Sequence, residues 1–456
     1  MIPNSNVVTR YAPSPTGFFH IGAVRTALFS YVFAKQNGGS MILRIEDTDA
    51  KRSKKEYEKD IVSGLAWLGI SYEGPYRQSE RGEVYAKYLT QLIAEGKAYE
   101  SAEAEGTVIR FKNPGRKVRF RDIIRGEIET DTTELKDFVI ARSLQSPLFH
   151  LVVVIDDYEM GVTHVIRGED HIPNTPRQIL IQEALGFPQP IYAHLPLVLA
   201  PDKSKLSKRN LSGEMVAVRD YRKAGFLPEA IINFSALLGW SPEEEGKDVF
   251  TLSEFVPMFS FARIQKGGAQ FNRDRLRWLN KEHMKRLSQE AIVHGLAEHM
   301  PERVKALPQY TDGRLKKSRE TLFERIEVFS DLDGLGAAGD LDYFFAAPEY
   351  PAPLKIVSVK GDGEGYLDTA RHIDNIINIL SSIPDESFSK EKVKELLWDY
   401  ATAEGRGAVL WPMRYALSGR DKSPDPFTLA GILGKEETLA RLETAKEALK
   451  KMNDES

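Results

Sequence analysis

Three runs of this sequence carry side chains able to grip phosphate and carboxylate groups. The first is Pro13-Ser14-Pro15-Thr16-Gly17-Phe18-Phe19-His20-Ile21-Gly22-Ala23. Its prolines and glycines force a loop, which delivers His20 to a predicted helix start, where free backbone amides and a positive dipole favour phosphate. Gly22 removes a side chain where a nucleotide could press on the backbone. His20 can donate to a phosphate oxygen as charge builds in a transition state, although by itself it would serve equally as a helix cap. The second run is Lys205-Leu206-Ser207-Lys208-Arg209. Its cations around Ser207 could close over a triphosphate and neutralise departing pyrophosphate, chemistry that needs little beyond position and charge. The ordinary alternative is a lysine-rich surface loop. The third set joins Arg10 and Arg167 to Arg44-Ile45-Glu46-Asp47-Thr48-Asp49. Arginine grips carboxylates bidentately and Glu46 would hold an α-ammonium group, so the set describes a pocket for an acidic amino acid. Unless the fold brings these residues together, they are surface ion pairs.

The elements that must do so read as an alternation. Val7 to Ala12 is a β-favouring run, and Ile21, Val24, Leu28 and Tyr31 keep helical spacing up to Gly38-Gly39. Met41 to Ile45 reads as a buried strand, and Ser53-Lys54-Lys55-Glu56 fits a capping box for a second helix. Between about Tyr99 and Pro147 the pattern breaks into short β-like pieces. It resumes with the apolar run Leu151 to Ile155, strand Thr163 to Arg167, a helix from Asn174-Thr175-Pro176 to Gly186, and strand Ile191 to Leu199. Such alternation implies a parallel sheet with helical crossovers, whose ligands sit beyond the carboxyl ends of the strands. Arg10, Glu46 and Arg167 lie at or just past such ends. From about Pro201 loops and helices take over. Clusters at Asp333 to Gly339 and Ala346 to Pro353 read as hinges or loops, and Leu439, Leu442 and Leu449 keep helical spacing near the end.

With 456 residues, several domains are expected, roughly one per 150 residues. Composition is that of a soluble globular protein. No apolar run reaches membrane-spanning length and the start lacks a signal-peptide layout, so a cytoplasmic protein with no membrane partner is expected. The absence of cysteine excludes disulfides, thiolate catalysis and sulfur-ligated zinc. A net charge of -4 gives no sign of nucleic-acid binding. Positive charge is gathered locally instead: Arg110, Lys112, Arg116, Lys117, Arg119, Arg121 and Arg125 stand against the single acid Asp122 between Arg110 and Arg125. A solvated charged hairpin is the plain alternative.

Taken in order, Thr9-Arg10-Tyr11-Ala12-Pro13-Ser14-Pro15-Thr16-Gly17, His20-Ile21-Gly22-Ala23, Ile45-Glu46-Asp47-Thr48-Asp49, Val165-Ile166-Arg167-Gly168-Glu169-Asp170-His171 and Lys205-Leu206-Ser207-Lys208-Arg209 resemble bacterial-type glutamyl-tRNA synthetases. The likeness continues through Asn272 to Asn280 and returns at Pro412 to Arg420, weakening from about Ser288 to Glu404. It implies a multidomain protein: an α/β Rossmann-like nucleotide-binding catalytic domain in two halves (1–98 and 148–200), an α+β insertion for the acceptor stem (99–147), a stem-contact domain (201–285), and a mostly α-helical anticodon-binding region (286–375 and 376–456). It also implies transfer of glutamate, activated by ATP with Mg2+, to tRNA(Glu) by a monomer, and leaves open whether tRNA(Gln) is charged as well. Under this resemblance His20, Lys205 and Lys208 are the catalytic residues, and Gly22, Asp170 and Ser207 join them around ATP. Arg10, Ala12, Ser14, Glu46, Phe149 and Arg167 surround glutamate. Arg116, Lys117, Arg119 and Arg121 would hold the acceptor end of tRNA, and Trp411, Arg414 and Arg420 are candidates for the anticodon. Three departures stand out. The insertion is short and lacks the cysteine-bearing segment that holds zinc in some relatives, so no metal site is expected. Phe149 stands where many relatives place a tyrosine, and Asn210 follows the lysine run where a histidine is common.

Overall fold

The computed structural model describes residues 7–103, 106–200, 204, 215–350 and 365–454. The chain forms two compact units, Met1–Lys285 and Arg286–Ser456.

In the first unit the strands β1 (Val8–Tyr11), β2 (Ser40–Ile45) and β3 (Glu73–Arg77) run parallel in that order, linked by helices α1 (Ile21–Gln36) and α2 (Lys55–Trp67). Five of the six β2 residues are buried, as a strand covered on both faces requires. The return from α1 to β2 depends on glycine, because a side chain at Gly39 would overlap the Val7 carbonyl. The expected capping box does not form: α2 starts at Lys55 with Lys54 in the cap position and no side-chain cap, while Ser53 N donates to Asp49 O (2.9 Å).

After helix α3 (Gly82–Ala94) comes an antiparallel sheet of β4 (Ala98–Glu103), β5 (Gly106–Phe111), β8 (Phe138–Ser143) and β9 (Ser146–Pro147). The hairpin between them, β6 (Lys117–Asp122) and β7 (Gly126–Asp131), leaves that sheet and pairs with β11 (Ile191–Leu195) through Tyr192 and Asp122. Helix α4 (Phe149–Glu159) then leads to β10 (His164–Gly168), which pairs in parallel with β11, and α5 (Thr175–Leu185) joins the two. The run Leu151 to Ile155 is therefore helical; every residue from Leu151 to Asp157 is buried, and an all-apolar run has no periodicity with which to declare itself. The expected strand Ile191 to Leu199 splits at Pro196 into β11 and β12 (Val198–Leu199), which pairs with β13 (Ala269–Gln270).

β10 lies beside β1: Thr163 N donates to Val8 O (2.9 Å) and Val8 N to Thr163 Oγ1 (2.9 Å). The sheet thus reverses its strand order between β1 and β10, and the crevice past their carboxyl ends is where such folds bind ligands.

The second unit is helical among the described residues. Its core is pinned by Arg441, which donates to Tyr343 O (2.7 Å), Leu417 O (2.6 Å) and Ala346 O (2.8 Å), satisfying carbonyls at helix ends that would otherwise be stranded. Residues Asp333 to Gly339, expected as a hinge or loop, lie largely within the helix Asp331–Ala337, with Gly336 seated against Pro301. Of the three leucines spaced for a helix, Leu442 and Leu449 are buried on the helix Lys435–Asp454 and Leu439 is half-buried.

Candidate active site

Beyond the β1 and β10 ends opens a cavity of about 390 Å³ lined by Arg10, Ala12, Ser14, His20, Gly22, Glu46, Phe149, Arg167 and Asp170. Residues far apart in the sequence meet there. Lys205, Ser207 and Lys208 lie outside the described residues. The chain on both sides of them adjoins the cavity: Leu197 and Val198 line it, and Ala217 bridges to His20, with Ile21 N donating to Val216 O (3.1 Å) and Val218 N to Phe19 O (2.8 Å).

His20 caps α1, and its Nδ1 accepts the Ala23 amide (3.2 Å). That bond fixes the tautomer: the proton of the neutral ring sits on Nε2, the nitrogen able to donate to a phosphate oxygen. Capping and phosphate chemistry, posed as alternatives by sequence, are thus compatible in one side chain.

The two arginines that share a strand-end layer differ in what holds them. Arg44, with no exposed surface, sits among Asp157 (Nη1 to Oδ1, 2.7 Å), Glu46 (Nη2 to Oε1, 3.2 Å) and Asp156 (3.7 Å). Burial opposes its charge, yet Asp157, Glu46 and Asp156 together outweigh that and hold the guanidinium above its ordinary range. Among the described residues Arg167 is held by neutral acceptors: Nε donates to His194 Nε2 (3.1 Å), and Nη2 to Thr175 Oγ1 (2.9 Å) and Gln178 Oε1 (2.8 Å). Burial brings it down to about 10, so it stays charged at neutral pH. A buried cation beside a cavity, with no contacting carboxylate among the described residues, is poised for an anionic guest. Arg10, 3.4 Å from Asp157 through Nε and bonded to Ile166 O (3.3 Å), supplies a second guanidinium.

Glu46 provides the opposite charge. Burial, only partly offset by Arg44 and Arg10, leaves its carboxyl above the ordinary range. Phe149, at the first turn of α4, turns its ring toward His171 (centroids 5.8 Å apart), and Val153, one turn on, lines the same wall. Burial, reinforced by Arg177 and Arg167, drops His150 to about 4; burial with Arg167 does the same to His171, so both rings are neutral near pH 7.

Sequence reasoning missed the residues beneath this wall. Asp156 and Asp157 hold the arginines from below: Asp156 accepts from Arg81 Nε (2.7 Å), Gln78 Nε2 (2.9 Å) and Tyr85 OH (2.9 Å). Their signal was a pair of acids directly after an unbroken apolar run, where no exposed face is available. Arg25, which donates to Leu238 O (2.8 Å) and Pro196 O and lines the cavity, was also missed.

Lys117, Arg119 and Arg121 of the basic run sit exposed on β6, and β7 brings acids opposite: Lys117 faces Asp131, Arg119 faces Glu129, and Arg121 faces Glu127. Lys117 (2.8 Å) and Arg119 both pair with Glu129, and Arg116 pairs with Glu183. A window of sequence that stopped at Arg125 counted the cations and left out their partners. In the second unit Trp411 stacks on Tyr415 (5.6 Å, 19°), Arg414 donates to Asp421 O (3.0 Å), and Arg420 is exposed.

Strand reversal, crevice and helix-start histidine together define a class I nucleotide-binding architecture, and the family model described as "tRNA synthetases class I (E and Q), catalytic domain" matches residues 6–107 and 100–278. The model "Anticodon binding domain" matches residues 280–446. Curated glutamate–tRNA ligases are similar over nearly their whole length: that of Aquifex aeolicus is 38% identical, covering 96% of this chain and 98% of its own, and glutamate–tRNA ligase 1 of Rubrobacter xylanophilus is 40% identical, covering 97% and 98%. A crystal structure of a glutamate tRNA ligase from Elizabethkingia meningosepticum in complex with its amino acid superposes with a TM-score of 0.85 at 33% identity, covering 98% of this chain and all of that one. The chain belongs to the glutamate–tRNA ligase family.

Proposed function

We propose that this chain activates L-glutamate with ATP and transfers it to the 3'-terminal adenosine of tRNA(Glu). The observation that carries the reading is the meeting, in one cavity, of two guanidiniums, a buried carboxylate and a histidine-capped helix start. Arg10 and Arg167 grip the side-chain carboxylate of glutamate and Glu46 its ammonium group, with Ala12, Ser14 and Phe149 shaping the walls. The α-carboxylate oxygen then attacks the α-phosphorus of ATP, the bond to the bridging oxygen breaks, and pyrophosphate leaves. His20 donates through Nε2 to the phosphates, Gly22 lets the nucleotide close on the backbone, and Asp170 lies on the ATP side. Lys205, Ser207 and Lys208 steady the departing pyrophosphate. Magnesium, carried in by the nucleotide, would offset the charge of the phosphates. In the second step the 2'-hydroxyl of the terminal ribose attacks the activated carbonyl and AMP leaves.

Two RNA contacts belong to the same proposal. Arg116, Lys117, Arg119 and Arg121 meet acceptor-stem phosphates, the first three by exchanging their carboxylate partners for phosphate. Trp411, Arg414 and Arg420 lie toward the anticodon. The protein works as a cytoplasmic monomer, without zinc. Charging assays with labelled glutamate and labelled glutamine against purified tRNA(Glu) and tRNA(Gln) test the whole reading. Glutamate on tRNA(Glu) is the expected product, its appearance on tRNA(Gln) would show a non-discriminating enzyme, and glutamate on neither would overturn the proposal.

A further inference from the structure

Two buried side chains that the mechanism does not use stand behind the glutamate-binding guanidinium. His194 on β11 is the register partner of Arg167 on β10, and its imidazole has no exposed surface. Asp122, equally buried, closes β6 at the point where the hairpin joins β11. Its Oδ2 accepts from His194 N (3.0 Å) and meets His194 Nδ1 at 2.7 Å, while Oδ1 accepts from Ile124 N (2.9 Å) and Arg125 N (2.8 Å).

These contacts permit one arrangement of protons. Four donors converge on Asp122, so it is a carboxylate and His194 Nδ1 carries a hydrogen. Nε2 must then present a lone pair, because the Arg167 Nε–H points at it from 3.1 Å, with Thr175 Oγ1 a second neighbour at 3.3 Å whose hydroxyl can turn to either tautomer. A proton on Nε2 would set two donors against each other. With Thr175 and Gln178 holding Nη2, two of the three nitrogens of the guanidinium are fixed, and the plane that must meet a carboxylate edge-on is set before any ligand arrives.

We propose that Asp122 and His194 are positioning residues for glutamate binding: Asp122 sets the tautomer of His194, and His194 Nε2 sets the orientation of Arg167. The proposal rests on the reading of Arg167 as a glutamate ligand. An unbroken chain of contacts thereby runs from the β6–β7 hairpin to the amino-acid pocket.

The test is steady-state aminoacylation by the full-length protein carrying His194→Asn or His194→Gln. Asparagine keeps an amide N–H near the Nδ1 position for Asp122 and offers nothing at Nε2; glutamine can place its carbonyl oxygen near Nε2. His194→Asn should raise KM for glutamate about tenfold to a hundredfold, the worth of a hydrogen bond to a charged group, with KM for ATP within about twofold. His194→Gln should recover most of the loss. Unchanged KM for glutamate in His194→Asn, or equal rises for glutamate and ATP, would overturn the proposal. Nitrogen-15 shifts of the His194 ring give a readout that needs no activity: Nδ1 protonated and Nε2 bare is expected, and the reverse contradicts it even if the wild-type protein fails to charge glutamate.

Discussion

Arg167 on β10 and Arg44 on β2 have the same side chain, and what surrounds each decides its role. Three carboxylates neutralise Arg44, which is structural; neutral acceptors leave Arg167 charged toward a cavity. Replacing Asp157, which serves both Arg44 and Arg10, by Ala should destabilise the fold by about 3–5 kcal/mol in denaturant titrations, since it strands buried cations. An unchanged midpoint would contradict the account. If its Nε2 acts on the phosphates and not on the amino acid, as proposed, His20→Ala should lower kcat by about 10²–10³ with little change in KM for glutamate. Acid should act through the buried imidazoles. His150 and His171 fall from 6.5 to about 4 in the fold, so the native state binds fewer protons than the unfolded chain between those values. Stability therefore drops as pH falls from about 6.5 toward 4. The melting temperature of a His171→Gln variant should depend less on pH across that window than that of the wild type. Arg10, Glu46 and Arg167 were legible from residue type and strand-end position. Asp122, His194 and Thr175 were not, because their importance comes from a register that no linear spacing encodes.

At the scale of elements, the alternation of strand and helix through Ile45 was readable from buried β-branched runs, glycine stops and helical spacing. The helix α4 was not: seven consecutive buried residues give no period, and only the contacts of Asp156 and Asp157 with Arg81, Tyr85 and Arg44 explain how acids end so apolar a run. The hairpin β6–β7 shows the complementary failure. Its cations are plain in the sequence, but the acids that answer them stand on the next strand, and the pairing is a property of the hairpin. Reversing Arg119 and Arg121 together to Glu should raise KM for tRNA several-fold, more at low salt than at high, while KM for ATP is spared. Equal effects on both would remove this hairpin from the RNA-binding surface.

For the molecule as a whole, a sequence of modest net negative charge carries out chemistry on polyanions by concentrating a few cations where backbone dipoles and burial make them count. The division into two compact units, the first containing the whole described cavity, lets the pocket be considered apart from the helical unit. Because no cysteine is present, treatment with a strong chelator followed by restored magnesium should leave charging at its original rate; lasting loss would reveal a metal held by other ligands. The central claim is that Arg167 and His20, 147 positions apart in the chain, serve a single bound intermediate. A stable glutamyl-adenylate analogue, titrated calorimetrically into wild type, Arg167→Gln and His20→Ala, tests it most directly. Each substitution alone should weaken binding by about tenfold or more, whereas an analogue that binds either variant as tightly as the wild type would contradict a shared cleft.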